Sequence, residues 1–292
     1  MQHRSGYVNI LGKPNVGKST LMNAMVGEKL SIITSKAQTT RHRILGIVNS
    51  PGYQVVFSDT PGILEPSYKL QEVMLKSARS ALVDADILVY LTEIGDHPDP
   101  EDPFLLKLKK AGIPVLLVIN KIDLSNQEEV KSAIETWNGV LPNAEKIPIS
   151  AKENFNVDLV FSRILHHLPE SPPYYSKDAL TDKSERFLAG EMIREKILLR
   201  YKQEIPYAVE VEIESFREEA RLIRIYAVIY VEREGQKGIL IGNEGKALKR
   251  VGRESRIDME SFFNKKVFLE MKVKVKKDWR NNERQIKKFG YH

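Results

Sequence analysis

Six short runs rich in β-branched and aliphatic residues punctuate the first 170 residues: YVNIL (7–11), ILGIV (44–48), YQVVFS (53–58), ILVYL (87–91), VLLVI (115–119) and KIPI (146–149). Longer amphipathic stretches separate them, and strands alternating with helices predict an α/β fold with a mostly parallel sheet and helices on both faces. In such open sheets a ligand sits beyond the carboxyl ends of the strands. Polar stretches stand at these ends: GKPNVGKST (12–20), DTPG (59–62), NKID (120–123) and SAK (150–152). Segments distant along the chain are therefore expected to meet at one edge of the sheet.

The 292 residues suffice for two domains, and 42% hydrophobic content with 8% aromatics is that of a soluble globular protein. No apolar run approaches the roughly 18 residues of a membrane helix, and the first residues lack the regions of a secretory signal, so the chain reads as intracellular. It has no cysteine, which excludes disulfides, thiolate catalysis and cysteine-ligated zinc. His166 and His167 are adjacent on an expected helix, pointing about 100° apart, which is not ligand spacing.

The net charge of +6 is unevenly placed. Residues 1–179 hold 19 Lys and Arg against 20 Asp and Glu, whereas residues 180–292 hold 26 against 19. Within the second half, residues 246–292 carry 15 basic and 6 acidic residues, a surplus that suggests a polyanionic partner and otherwise reads as a solvated lysine surface.

The stretch LPESPPYYSKD ends a helix near His167 and breaks the chain. The expected division is a domain over 1–170, a linker over 171–180 and a second domain over 181–292. Asp182 with Glu185 three residues later looks like a helix start, and Phe187, Leu188, Met192, Ile193, Ile197 and Leu198 keep a helical period. The period then becomes two in AVEVEI, RLIRIYAVIYVERE and VFLEMKVKVKK, with helix, tight Gly turn and helix between the last two. The second domain reads α-β-β-α-α-β.

Gly12, Gly17, Lys18 and Ser19 fill the pattern G-x-x-x-x-G-K-[ST] between an expected strand and helix, the context in which it cradles nucleotide phosphates. Backbone N–H groups of Gly12, Lys13, Pro14, Asn15, Val16, Gly17, Lys18, Ser19 and Thr20, proline excepted, would curl around phosphate oxygens. Lys18 would reach the β and γ phosphates and Ser19 would ligate Mg2+. In Asp59, Thr60, Pro61 and Gly62, the carboxylate would hold Mg2+ through water and the Gly62 N–H would meet the γ-phosphate. Asp123 can accept both N1–H and the exocyclic amine of guanine, a pair of donors that adenine does not present. Asn120 would brace that loop, the Lys121 stem would cover the base, and Ser150, Ala151 and Lys152 would offer a backbone N–H to guanine O6.

These stretches, in this order, resemble a translation-factor-type GTPase domain, and QTTRHRI (38–44) lies where such domains carry their first switch. The resemblance implies that Thr40, with Thr39 the less favoured choice, binds Mg2+ and senses the γ-phosphate, and that Lys18, Thr40 and Gly62 are the catalytic groups. Ile63 departs from Ras-like proteins, which place a water-orienting glutamine there. In similar GTPases an asparagine at the place of Asn15 goes with a potassium ion, so K+-stimulated, slow intrinsic turnover to GDP and phosphate is expected.

LIGNEGKALKRVG is similar to the turn of KH modules, with Gly242, Asn243, Glu244 and Gly245 clamping a nucleic-acid backbone at a helix N-terminus. Lys237, Lys246, Lys249, Arg250 and Arg253 would add charge, and the element order is that of type II KH domains. Glu244 stands where the loop often carries lysine, and either points away or weakens the clamp. Together with KAQTTRHRI, ISA, REKIL, VEREGQKGILIGNEG and the terminal GY, these motifs resemble the Era family over essentially the whole chain. That family implies binding of 16S rRNA near its 3′ end, maturation of the small (30S) ribosomal subunit, and a monomer in the cytoplasm with a fraction peripheral to the inner face of the cell membrane. A rival reading makes the second domain a module for docking to protein or membrane, and a third, ATP-driven chemistry, turns on Asp123.

Overall fold

The computed structural model describes residues 3–291 and separates into two compact units. The first holds the described residues up to Ser31 with Thr40–Glu65 and Met74–Asp182; the second holds Ile32–Thr39, Pro66–Val73 and the described residues from Lys183 onward.

The first unit is built on strands β1 (Arg4–Leu11), β2 (Ile44–Ser50), β3 (Tyr53–Asp59), β4 (Ile87–Glu93), β5 (Val115–Asn120) and β6 (Glu145–Pro148) in the order β2-β3-β1-β4-β5-β6. All neighbours are parallel except the hairpin β2–β3. Each run anticipated from sequence forms one of these strands. Strands covered on both faces need apolar residues at successive positions, and Ile87 to Leu91 are all buried. Helices α1 (Lys18–Val26), α2 (Lys69–Ser80), α3 (Pro103–Lys109), α4 (Gln127–Val140) and α5 (Val157–His167) alternate with them, the first turn of α2 belonging to the second unit.

One core layer gathers Leu88, Tyr90, Leu117 and Ile119 of the sheet around Trp137 of α4, whose ring centroid lies 5.6 Å from that of Tyr90. Emptying the Trp137 site would cost about 3–5 kcal/mol. Helix α4 is started by a capping box: the Asn126 side chain accepts from the Glu129 N–H at 3.0 Å, and the Glu129 carboxylate accepts from the Asn126 N–H at 3.2 Å.

The stretch 171–180 is hydrogen-bonded along β2 and β3. Gln54, fully buried, accepts from the N–H groups of Tyr174 (2.7 Å) and Tyr175 (3.0 Å) and donates to the Tyr175 carbonyl (3.0 Å). The Ile47 N–H donates to the Leu180 carbonyl at 2.8 Å. Since β2 is the outer strand of the sheet, the Ile47 bond occupies a main-chain group that an open edge would leave exposed. Asp182 does not start the next helix: its Oδ1 accepts from the Leu45 N–H at 3.0 Å, and the cap is Ser184, whose hydroxyl accepts from Phe187 N–H.

The second unit consists of α6 (Glu185–Arg200), the short α7 (Ile205–Ala208), β7 (Glu210–Glu218), β8 (Leu222–Val231), α8 (Glu234–Ile241), α9 (Lys246–Phe263), β9 (Lys266–Val275) and α10 (Glu283–Lys288). Its three strands run β7-β8-β9, antiparallel then parallel. Period-two alternation points Ile223, Ile225, Ala227, Ile229 and Val231 of β8 into a core closed by Ile193 and Ile197 of α6 and Val251 and Met259 of α9. The expected α-β-β-α-α-β order is present with α7 and α10 added. The last residues fold back: Trp279 Nε1 donates to the Ala208 carbonyl at 2.9 Å, and the Tyr291 hydroxyl donates to Glu210 Oε2 at 2.7 Å.

Helix α6 departs from the simple apolar stripe seen in sequence. Glu191, Arg194 and Glu195 are buried along with its apolar residues. The Arg194 guanidinium forms a two-pronged pair with Glu191, Nε to Oε1 at 2.7 Å and Nη2 to Oε2 at 2.6 Å. Burial alone would pull Arg194 downward, but the adjacent Glu191 carboxylate outweighs it and the group stays charged.

Candidate functional site

At the carboxyl end of β1 the chain turns through Gly12 to Gly17 and enters α1 without a side-chain cap, so the first N–H groups of that helix remain for an anion. Gly17 has φ of 105°, and a Cβ there would stand 2.3 Å from the Asn120 side-chain nitrogen, so the turn admits no larger residue without displacing that asparagine. The Lys18 ammonium lies inside the curl, donating to the carbonyls of Gly12 (3.1 Å) and Lys13 (2.7 Å). Burial lowers Lys18 to about 8, against the opposing pull of Asp59.

Three oxygens from separate segments converge beside this turn. Asp59 Oδ2 accepts from the Ser19 hydroxyl at 2.7 Å and the Thr40 hydroxyl at 3.1 Å, and the two hydroxyls are 2.9 Å apart. Asp59 Oδ1 is buried with no hydrogen-bond partner. Burial raises the Asp59 carboxyl, opposed by Ser19 and Lys18. Thr40 is brought to this cluster and Thr39 is not: the Thr39 hydroxyl is spent on Thr34 Oγ1 and the Lys36 carbonyl, both at 2.6 Å. Thr60 donates from its hydroxyl to the Ile10 carbonyl at 2.9 Å, and the Ile63 N–H donates to the Gly12 carbonyl at 3.2 Å, so residues 59–63 run against the phosphate turn. The Ile63 side chain is aliphatic and half-buried, and Asn15 is exposed at the crest with φ of 65°.

The NKID and SAK stretches meet beyond β5 and β6. Asn120 donates to the Val16 carbonyl at 2.8 Å and accepts from the Ala151 N–H at 2.9 Å, tying both to the phosphate turn. Ser150 donates to Asp123 Oδ1 at 2.6 Å, which aims the carboxylate. Asp123 is exposed, so only a seated base would desolvate it, and Lys121 is paired with Glu93, an exposed contact easily exchanged for a base plane. Lys13, on the outer side of the turn, pairs with Asp96 at 2.6 Å, and Lys152 pairs with Glu153 at 2.9 Å.

In the second unit Gly242 (φ 70°) and Gly245 (φ 73°) flank Asn243 and Glu244 in a turn that opens α9. Lys246, Lys249, Arg250 and Arg253 recur at helical spacing, share one face of α9 and are exposed, while Val251, Ser255 and Met259 line its buried face. Glu244 leans onto Lys246 at 2.7 Å, a fully solvated pair that offsets the nearest lysine at little energetic gain. Lys237 lies 3.7 Å from Glu234. Lys249, Arg250 and Arg253 have no carboxylate partner among the described residues.

Sequence reasoning gave no role to Glu191, nor to Arg194 at the head of the family-like REKIL (194–198), since charged residues in a helical pattern are assigned to solvent by default. Their spacing of three was the available signal. It also passed over Tyr68, whose hydroxyl bonds Gln38 and whose ring lies under the Arg280 guanidinium at 4.7 Å, all within the second unit.

A family model described as 50S ribosome-binding GTPase matches residues 7–121, and one described as KH domain matches residues 204–280. The chain is 47% identical over 292 residues to GTPase Era of Syntrophus aciditrophicus (strain SB), covering 99% of this chain and 95% of that protein. It is 47% identical over 295 residues to a chloroplastic Era-like GTPase of Oryza sativa subsp. japonica, covering 99% of this chain and 70% of that one. A solved structure of Era with MgGDPNP and nucleotides 1506–1542 of 16S ribosomal RNA is 38% identical, with a TM-score of 0.94 and 99% of each chain covered. A variant of Aquifex aeolicus Era bound to GDP·AlF4− gives the same three values. Likeness of this extent, with a P-loop domain that hydrolyses GTP followed by a KH domain, means that the chain belongs to the Era family of GTPases.

Proposed function

We propose that this GTPase is a molecular switch that binds 16S rRNA near its 3′ end through the KH domain and acts in 16S rRNA processing and 30S subunit assembly. The observation that carries the RNA reading is the Gly242–Gly245 turn opening a helix whose exposed face bears Lys246, Lys249, Arg250 and Arg253. A 50S label belongs to the model matching residues 7–121, but full-length likeness to an Era bound to 16S nucleotides favours the small subunit. Lys237, Asn243 and Glu244 complete the proposed contact surface. Filter binding with the 3′-terminal 16S sequence tests it: submicromolar, salt-sensitive affinity is expected, and no RNA binding with either GDP or a GTP analogue would favour a protein- or membrane-docking role.

In the GTPase domain, Ser19, Thr40 and Asp59 would hold Mg2+, and the buried, unmatched Asp59 Oδ1 with two neighbouring hydroxyls is a hard oxygen donor set that suits it. The bound ion neutralises charge on the β and γ phosphates. Lys18 turns from its backbone carbonyls to those phosphates, Gly62 presents its N–H to the γ-phosphate, and Asp123, aimed by Ser150, selects guanine. Asn15 is the proposed contact for K+, which would replace the water-orienting glutamine absent at Ile63. Domain limits of 1–170, 171–180 and 181–292, a monomeric cytoplasmic protein and a peripheral membrane fraction complete the reading.

A further inference from the structure

We infer that Arg194 of α6 is a positioning residue for GTP hydrolysis: by holding the Thr39 carbonyl it sets the neighbouring Thr40 hydroxyl on Asp59 and Ser19. The inference rests on the GTPase reading of that oxygen cluster.

Arg194 is 1% exposed, and its Nη2 donates to the Thr39 carbonyl as well as to Glu191. Nη1 finds no acceptor, so the direction of the guanidinium is set by Glu191 and the Thr39 carbonyl. The planar fork pinned across one helical turn has little freedom left. Segment 32–39 is tied to α6 at two further points, Lys36 Nζ to the Leu198 carbonyl and Ile33 N–H to Glu195 Oε1 at 3.2 Å. Thr39 itself closes the turn onto Thr34 and Lys36. The peptide group joining Thr39 to Thr40 is planar, so holding its oxygen restrains the N–H and Cα of Thr40, which move with it as one rigid group. From there the Thr40 hydroxyl reaches Asp59 Oδ2 at 3.1 Å.

A buried ion pair is a poor way to gain stability, and its best-attested use is to specify one conformation. Here the conformer specified is that of the residue entering the metal cluster. GDP contacts predicted for Lys18, Ser19, Asn120 and Asp123 do not involve Thr40, so the clamp should matter to turnover more than to GDP binding.

The test compares wild type with Arg194→Ala, Arg194→Lys and Glu191→Gln, using the whole protein. Hydrogen–deuterium exchange of residues 34–43 is measured without nucleotide, and GDP affinity, kcat and KM for GTP are measured with Mg2+. Expected for Arg194→Ala are exchange about tenfold faster confined to that segment, kcat about tenfold lower, a higher Mg2+ requirement, and GDP affinity within about twofold. Arg194→Lys keeps the charge but cannot form the fork, and decides the matter should the alanine variant not fold: a fall in kcat of about threefold or more with faster local exchange supports the clamp. Wild-type exchange and wild-type kcat in the lysine and glutamine variants would overturn it. Were the wild-type protein not to hydrolyse GTP, the site reading would fail, while the exchange comparison would still decide whether Arg194 holds Thr39.

Discussion

Lys18 and Asp59 are buried side by side, and burial pushes each toward its neutral form. For Lys18 the folded value of about 8 lies below the ordinary 10.5, so between those values the unfolded chain binds more proton. Stability from this group therefore rises with pH across that window, and the penalty for burying the charge is full below about 8. A seated triphosphate favours the charged ammonium. At pH 8, calorimetry in buffers of different ionisation enthalpy should show uptake of about half a proton on nucleotide binding; no uptake would mean that Lys18 is already charged in the empty turn. At the base, Asp123→Asn should trade guanine for xanthine, whose C2 carbonyl matches an amide donor, with GTP affinity falling by roughly 10²-fold or more. Unchanged GTP affinity in a competition titration would remove Asp123 from that role. Asp123 was visible in sequence because its chemistry is local to four residues. Arg194 was not, because its partner Thr39 lies 155 residues away.

The six strands were legible because alternation of strand and helix is written in local composition, and their carboxyl ends located the polar motifs. The course of residues 171–180 was not, because prolines announce a break without saying what the broken segment touches. Buried Gln54 holds that segment through three hydrogen bonds. Gln54→Ala should cost about 1–3 kcal/mol in a denaturant titration and expose residues 171–180 to protease, since buried backbone groups would lose their partners. In α9 the charge surplus was legible, but its arrangement needed the helix. Replacing Lys249, Arg250 and Arg253 by Gln should reduce the salt slope of RNA binding by about 2, at roughly 0.7 per phosphate contact on a single strand. An unchanged slope would place the RNA elsewhere on the domain.

Across the whole molecule, a GTPase unit of nearly balanced charge precedes a strongly basic KH unit, and the segments 32–39 and 66–73, on either side of Thr40 and Asp59 in sequence, pack with the latter. Thr39 belongs to the unit proposed to hold RNA and Thr40, proposed to sense the γ-phosphate, to the other, so a reciprocal linkage between the two ligands would pass along that junction of the chain. Turnover should be faster in KCl than in NaCl at equal ionic strength, and Asn15→Ala should abolish the difference; equal rates in wild type would remove potassium from the account. Coupling between nucleotide and RNA is read out by titrating a labelled RNA of 3′-terminal 16S sequence with the full-length protein, in parallel with Mg·GDPNP and Mg·GDP. Affinity at least about fivefold tighter is expected in the GDPNP form, and equal affinities in the two forms would mean that RNA binding does not answer to the nucleotide.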